Sequence, residues 1–273
     1  MGHVAPPTGV SLPSSLAQAR IPRLPATAYY IADFISEEEE RLILDKVRAS
    51  SFPTLRYRTG KLTLDKISGA PKPRWKQLSH RRLQTWPSDL VHDRLLEAPL
   101  PAWLGEPVVS RLLSIPPADD NSANLFVSSP HKRPNHVLIN EYPPGVGIMP
   151  HKDGAAYHPV VCTISLGASL CLNIHSSKED GALNPEPAFR ILQEPRSLLI
   201  TTDDLYTQYL HGIADIQADV GLSPETVSNW DMLRAPEDFS NGVNQRSVRT
   251  SLTYRDVLKV SKLGNNIGKF LKR

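Results

Sequence analysis

His151-Lys152-Asp153 sets an imidazole and a carboxylate two residues apart. In an extended segment both project from one face and can share a metal ion. A third ligand would complete the two-histidine, one-carboxylate facial arrangement, which leaves positions open and suits non-haem Fe(II). His211 is the candidate, because it follows the apolar run 197–201 and sits within Tyr209-Leu210-His211-Gly212-Ile213. A hydrogen-bonded histidine would look the same in isolation, and His175, in an alternating segment, is a rival.

Arg249 and Arg255 are an even six residues apart, so they share one strand face with Ser251 and Thr253, while Val248, Thr250, Leu252 and Tyr254 take the other. Two inward guanidinium groups need anions, because a buried cation without one is costly. A dicarboxylate such as 2-oxoglutarate would satisfy both; structural salt bridges are the ordinary alternative. Asn140 and Tyr142 also share a face, and their amide and phenol can donate to a carboxylate.

These residues need strands to position them. Val137/Ile139, Val160/Cys162/Ile164/Leu166, Leu170/Leu172/Ile174 and Val248/Thr250/Leu252/Tyr254 alternate with period two, and residues 197–201 form a continuous apolar run. Short strands at this spacing predict a β-sandwich or barrel rather than βαβ units. Upstream, Ser36 with Glu39 three residues on is a capping box. Acids at 37–40, an apolar stripe of Leu42, Ile43 and Val47, and then Lys46 and Arg48 complete a helix pattern. A second helical stretch is expected within 88–114, and the polar run 214–245 reads as a surface insertion.

The ordered set is Asn-x-Tyr, His-x-Asp, Thr163-Ile164-Ser165-Leu166-Gly167, a distal His and Arg-x5-Arg. Together with Glu194-Pro195-Arg196-Ser197 and Leu210-His211-Gly212-Ile213, it resembles the AlkB-like Fe(II)/2-oxoglutarate-dependent dioxygenases over roughly residues 28–257, and most closely their eukaryotic sixth-homologue branch. The resemblance implies a mainly β fold, a double-stranded β-helix (jelly-roll) core with flanking helices and an N-terminal lid. It implies iron on His151, Asp153 and His211. Asn140 and Arg255 would hold 2-oxoglutarate near the metal, and Tyr142 and Arg249 would hold its far end, with O2 as the other substrate. Ser251 stands where other members often carry Asn, which weakens one expected cosubstrate contact. The chemistry implied is oxidative demethylation of a nucleic-acid base. A reader with little turnover, or a protein or small-molecule hydroxylase, are the alternatives on the same core.

Division along the chain follows: a flexible leader 1–26, an N-terminal extension with helix and lid 27–134, the core 135–257, and a basic tail 258–273. The formal net charge is only +3, from 31 basic and 28 acidic residues. Residues 51–82, however, hold nine basic side chains against Asp65 alone, which is +8 and leaves −5 for the remainder. Interleaved aromatics make this the composition of a nucleic-acid-facing lid, with Arg56, Arg58, Lys61, Lys72, Arg74, Trp75 and Lys76 as substrate contacts. Tyr157 is expected at the substrate mouth. Hydrophobic content of 40% excludes wholesale disorder, and no run approaches the roughly 18 apolar residues of a membrane span. The opening residues carry neither a signal-peptide pattern nor a myristoylation motif. Cys162 and Cys171 make no disulfide framework, so a reducing compartment, cytoplasm and nucleus, is expected.

Overall fold

The computed structural model describes residues 9–24, 27–49, 55–58, 61–64, 75–78, 80–118, 124–177 and 182–261, with 55–58 and 61–64 as backbone only. The N-terminal part comprises β1 (Ala28–Ile31), α1 (Glu37–Ala49), β2 (Leu55–Arg58), β3 (Lys61–Leu64), β4 (Lys76–Gln77) and β5 (Arg82–Trp86). A small hairpin β6 (Leu90–Val91) and β7 (Arg94–Leu96) precedes α2 (Ala102–Gly105) and α3 (Val108–Ser114). The core follows as β8 (His136–Tyr142), β9 (Ile148–His151), β10 (Val160–Leu166), β11 (Leu170–His175), β12 (Phe189–Gln193) and β13 (Leu198–Thr202). It closes with α4 (Asp203–Thr207), β14 (Leu210–Ile213), β15 (Ala218–Val220), β16 (Val243–Gln245), β17 (Arg249–Arg255) and β18 (Val260–Ser261).

Two antiparallel sheets form a jelly-roll sandwich. The large one runs β1-β13-β10-β17-β8-β5-β4 and the small one β12-β11-β14-β9. Alternation divides the large sheet cleanly. Val137, Ile139, Cys162, Ile164, Leu166, Leu252 and Tyr254 face a helical layer in which Ile43, Val47, Leu104, Val108 and Leu112 are buried. The opposite face turns Leu138, Asn140, Tyr142, Thr163, Arg249, Ser251, Thr253 and Arg255 toward a cavity under the small sheet. The capping box is real and reciprocal: Ser36 N–H donates to Glu39 Oε2 at 2.8 Å, and Glu39 N–H to Ser36 Oγ at 3.2 Å. Glu39 also takes two bonds from Arg111 on α3, which ties α1 to α3.

Several expectations need correction. Within the expected flexible leader, residues 15–24 pack on the sandwich, burying Leu16, Ala19, Ile21 and Leu24; apolar spacing too short to show periodicity is enough once a sheet edge is there to cover. The second helical stretch splits, with a hairpin at 90–96 and two short helices after it. Residues 214–245 are no loose surface insertion. They bury Leu222, Val227, Leu233 and Phe239 against the small sheet. Their polar residues looked superficial but turn inward: Asp219 accepts from Asn244 and takes two bonds, at 3.1 and 2.6 Å, from Arg246 just past the segment. Of the basic tail 258–273, Val260 and Ser261 pair in parallel with β7; 262–273 lie outside the described residues.

His136, at the start of β8, is fully buried with neither ring nitrogen hydrogen-bonded. Burial, reinforced by the Arg255 cation, pushes its imidazole down to about 3 from an ordinary 6.5. The unfolded chain therefore binds a proton that the folded chain refuses, so this site favours folding above pH 6.5 and loses that contribution as pH falls toward 3. Urea midpoints recorded across that window should decline with acidification, and His136→Leu should flatten the decline. An unchanged slope would contradict this role.

Candidate iron and 2-oxoglutarate site

Strands β9 and β14 bring the two histidines together. His211 pairs with His151 and Ile213 with Ile148, so three steps on β9 match two on β14. That extra residue is a bulge, which re-aims the strand so that both Ile148 and His151 reach the cavity. Gly212 permits the close crossing, since a Cβ there would lie 2.9 Å from Pro150 N. The rings stand 4.4 Å apart between centroids, and ligand atoms of His151, Asp153 and His211 all fall within 4.8 Å of one another.

Each ligand is prepared by a neighbour. His151 Nδ1 lies 2.9 Å from the Met149 carbonyl. A carbonyl only accepts, so Nδ1 carries the proton and Nε2 is left as the metal-binding lone pair. Burial pushes the His211 imidazole down to about 4, partly opposed by Asp153, so it is neutral and able to ligate at physiological pH. Asp153 Oδ1 accepts from Arg255 Nη1 at 2.6 Å, leaving the other carboxylate oxygen for a metal. His175, the rival, is occupied elsewhere, with Nδ1 3.0 Å from the Asn184 carbonyl.

The cavity beside these ligands has a volume of about 540 Å³. Arg249 lies on its floor at 2% exposure. Its Nε donates to Ser165 Oγ at 2.8 Å and its Nη2 to Gln193 Oε1 at 3.2 Å, both neutral acceptors. Desolvation lowers its guanidinium to about 10, which still leaves it charged. Arg255 Nε and Asn140 Oδ1, by contrast, are buried without hydrogen-bond partners. Arg255 Nε and Arg249 can serve a carboxylate directly, and the Asn140 amide can do so once turned over to present its N–H groups. A three-ligand metal corner beside two cations on one floor fits Fe(II) with a dicarboxylate that bears a metal-chelating end.

The family model of the 2OG-Fe(II) oxygenase superfamily matches residues 27–255. The chain belongs to this superfamily. It is 37% identical over 251 residues, 90% of this chain and 92% of the relative, to the Danio rerio protein "Probable RNA/DNA demethylase ALKBH6", and is an AlkB-like member. It is 25% identical to the Xenopus tropicalis "tRNA (carboxymethyluridine(34)-5-O)-methyltransferase alkbh8" across 86% of this chain and 32% of that one. The solved structure of OsALKBH1 aligns with 85% of this chain and 99% of its own at 16% identity and a TM-score of 0.45.

As a 2OG-Fe(II) oxygenase the chain uses Fe(II), 2-oxoglutarate and O2. When bound, the metal and cosubstrate supply the oxidising power, with succinate and CO2 as co-products. The protein's part is to leave coordination positions open, to neutralise and orient the cosubstrate, and to keep bulk water from the floor. Tyr206, which sequence reading missed, lines the cavity and donates to the Gly154 carbonyl at 3.1 Å, holding the irregular segment that carries Asp153. Tyr157 lines the cavity too, with the Arg255 guanidinium 4.0 Å from its ring centroid.

The expected substrate contacts fare differently. Lys72 and Arg74 lie outside the described residues, and Arg56, Arg58 and Lys61 fall on the hairpin β2–β3, whose side chains are not described. Lys76 does not face the cavity: it is ion-paired with Asp89 on the surface. Trp75 packs against the helical-side core and has the Arg82 guanidinium 4.4 Å from its ring, so that face is already covered.

Removing the Arg249 charge should separate binding from stability. Arg249→Met keeps the volume and relieves a desolvated cation, so the thermal midpoint without cosubstrate should hold or rise. The Kd for 2-oxoglutarate in Mn(II)-loaded protein should rise at least about 30-fold, with Mn(II) affinity retained. A large loss of stability with unchanged 2-oxoglutarate affinity would contradict the assignment.

Proposed function

We propose that this oxygenase demethylates or dealkylates a base in nucleic acid, RNA or single-stranded DNA. Hydroxylation of the N-alkyl carbon and collapse of the product would release formaldehyde beside succinate and CO2. The supporting observation is the 37% identity to a protein named for RNA/DNA demethylation, along 92% of that protein's length. The charge of residues 51–82 supports it as well, with nine basic side chains against one acidic, of which Lys76 and Arg82 are paired with Asp89 and Glu141. A cavity of about 540 Å³ lies within the usual range for small-ligand sites and has room beyond a five-carbon cosubstrate. An extruded or single-stranded base is the form in which such a substrate could reach a site at a cavity floor.

Formaldehyde and succinate release should be measured against a panel of methylated RNAs, single-stranded DNAs and peptides. Turnover is expected with nucleic acids and not with peptides. Charge reversal at Arg56, Arg58 and Lys61 should weaken RNA binding and flatten its salt dependence, while spare 2-oxoglutarate turnover without substrate persists. Release with peptides alone, or RNA affinity indifferent to salt, would overturn the proposal.

A further inference from the structure

Strand register turns the cavity floor into a grid. Asn140 is opposite Leu83 on one side and Ser251 on the other, and Ser251 is opposite Ser165. The adjacent rung pairs Tyr142 with Arg249. On β5 the last rung is Arg82 opposite Glu141, so one residue further along, Arg81 comes level with Tyr142. The backbone there stays in place, because the Arg81 carbonyl accepts from Leu78 N–H at 2.8 Å.

The two neighbouring arginines then part by strand alternation. Arg82 turns to the far face and makes a two-pronged pair with Glu141, at 2.6 and 2.9 Å. Arg81 turns to the cavity and lines it with Leu83, Tyr142 and Arg249. Its Nε is buried with no hydrogen-bond partner, and no carboxylate among the described residues pairs with it. Tyr142 feels both cations: the fields of Arg249 and Arg81 oppose the rise that burial imposes on its phenol. One row thus carries two guanidinium groups flanking a phenol, with no negative charge of its own. The row lies two residues beyond Asn140 on β8, in the direction away from His136 and Arg255, which is the metal-proximal end.

We infer that Arg81 is a further 2-oxoglutarate-binding residue, completing a two-arginine clamp with Arg249 on the carboxylate remote from the metal. A carboxylate offers about four lone-pair sites, enough for Arg249, Tyr142 and Arg81 together. The clamp would select against 2-oxo acids that lack the second carboxylate. This rests on the family's cosubstrate and not on the nucleic-acid reading, so either can fail alone.

The test is calorimetry on the full chain loaded with redox-inert Mn(II), titrated with 2-oxoglutarate and with 2-oxopentanoate, which lacks the far carboxylate. Arg81→Met should raise the 2-oxoglutarate Kd roughly 10- to 100-fold, the loss of one charge-assisted bond, and leave that of 2-oxopentanoate unchanged. Arg81→Lys, which keeps charge but loses the fork, should fall between and guards against a folding defect in the first variant. Equal weakening of both acids, or no change for 2-oxoglutarate, would overturn the inference. So would an unchanged 2-oxoglutarate Kd with an RNA-binding salt slope reduced by about one, which would give Arg81 to a phosphate.

Discussion

Arg249 keeps a positive charge where bulk solvent does not reach, and its hydrogen bonds among the described residues go to the neutral oxygens of Ser165 and Gln193. Desolvating a guanidinium costs several kcal/mol, and neutral acceptors return only part of that. A protein optimised for stability would place a carboxylate beside it, as the same chain does for Arg246 with Asp219 and for Arg111 with Glu39. The missing counter-charge has to come from outside. At the other end of the floor Arg255 is already shared with Asp153, so the cavity is graded, from a cation joined to the metal corner to a cation without an anion. A dicarboxylate is the ligand such a gradient orients.

The sandwich exists to hold that gradient still. The cavity-facing side of β17 is polar along its whole length, so its register depends on the other side, where Leu252 and Tyr254 are locked into the helical-side core. A slip of one residue would bury the arginines among helices and expose Leu252. The two histidine ligands come from the opposite sheet and its β9 bulge, and the two sheets pack on each other through a buried apolar cluster that includes Tyr30, Leu199, Leu172 and Ile174. The distance between the two histidines and the clamp is therefore set by sheet packing, and Asp153, on the irregular segment after β9, is held by Arg255 and through Tyr206.

Much of this was legible in the sequence because period-two alternation with one apolar face dictates which residues point together. That logic put Asn140 with Tyr142 and Arg249 with Arg255, and the structure lines one cavity with all four. Where alternation was absent or broken, the sequence was less informative. The β9 bulge leaves no compositional trace, so the side-by-side histidines depend on a backbone irregularity. Arg81 and Arg82 were indistinguishable members of a basic run, and only the register separates an inward cation from one already paired. Residues 214–245 misled because Asp219, Asn244 and Arg246 satisfy one another inside the fold, which composition cannot reveal. The partners of Trp75 and Lys76 were hidden for a similar reason, since only the fold sets Arg82 against the ring of one and Asp89 beside the ammonium of the other.

Three side chains and an anion-seeking floor together bind one metal ion and one 2-oxoglutarate. Anaerobic titration of the Fe(II)-loaded protein with 2-oxoglutarate, followed by visible absorption, tests this most directly. The wild type should develop a charge-transfer band that saturates near one equivalent, and His211→Ala should show none. A wild-type protein without the band, or a His211→Ala variant that keeps it, would rule out this site as the place where metal and cosubstrate meet.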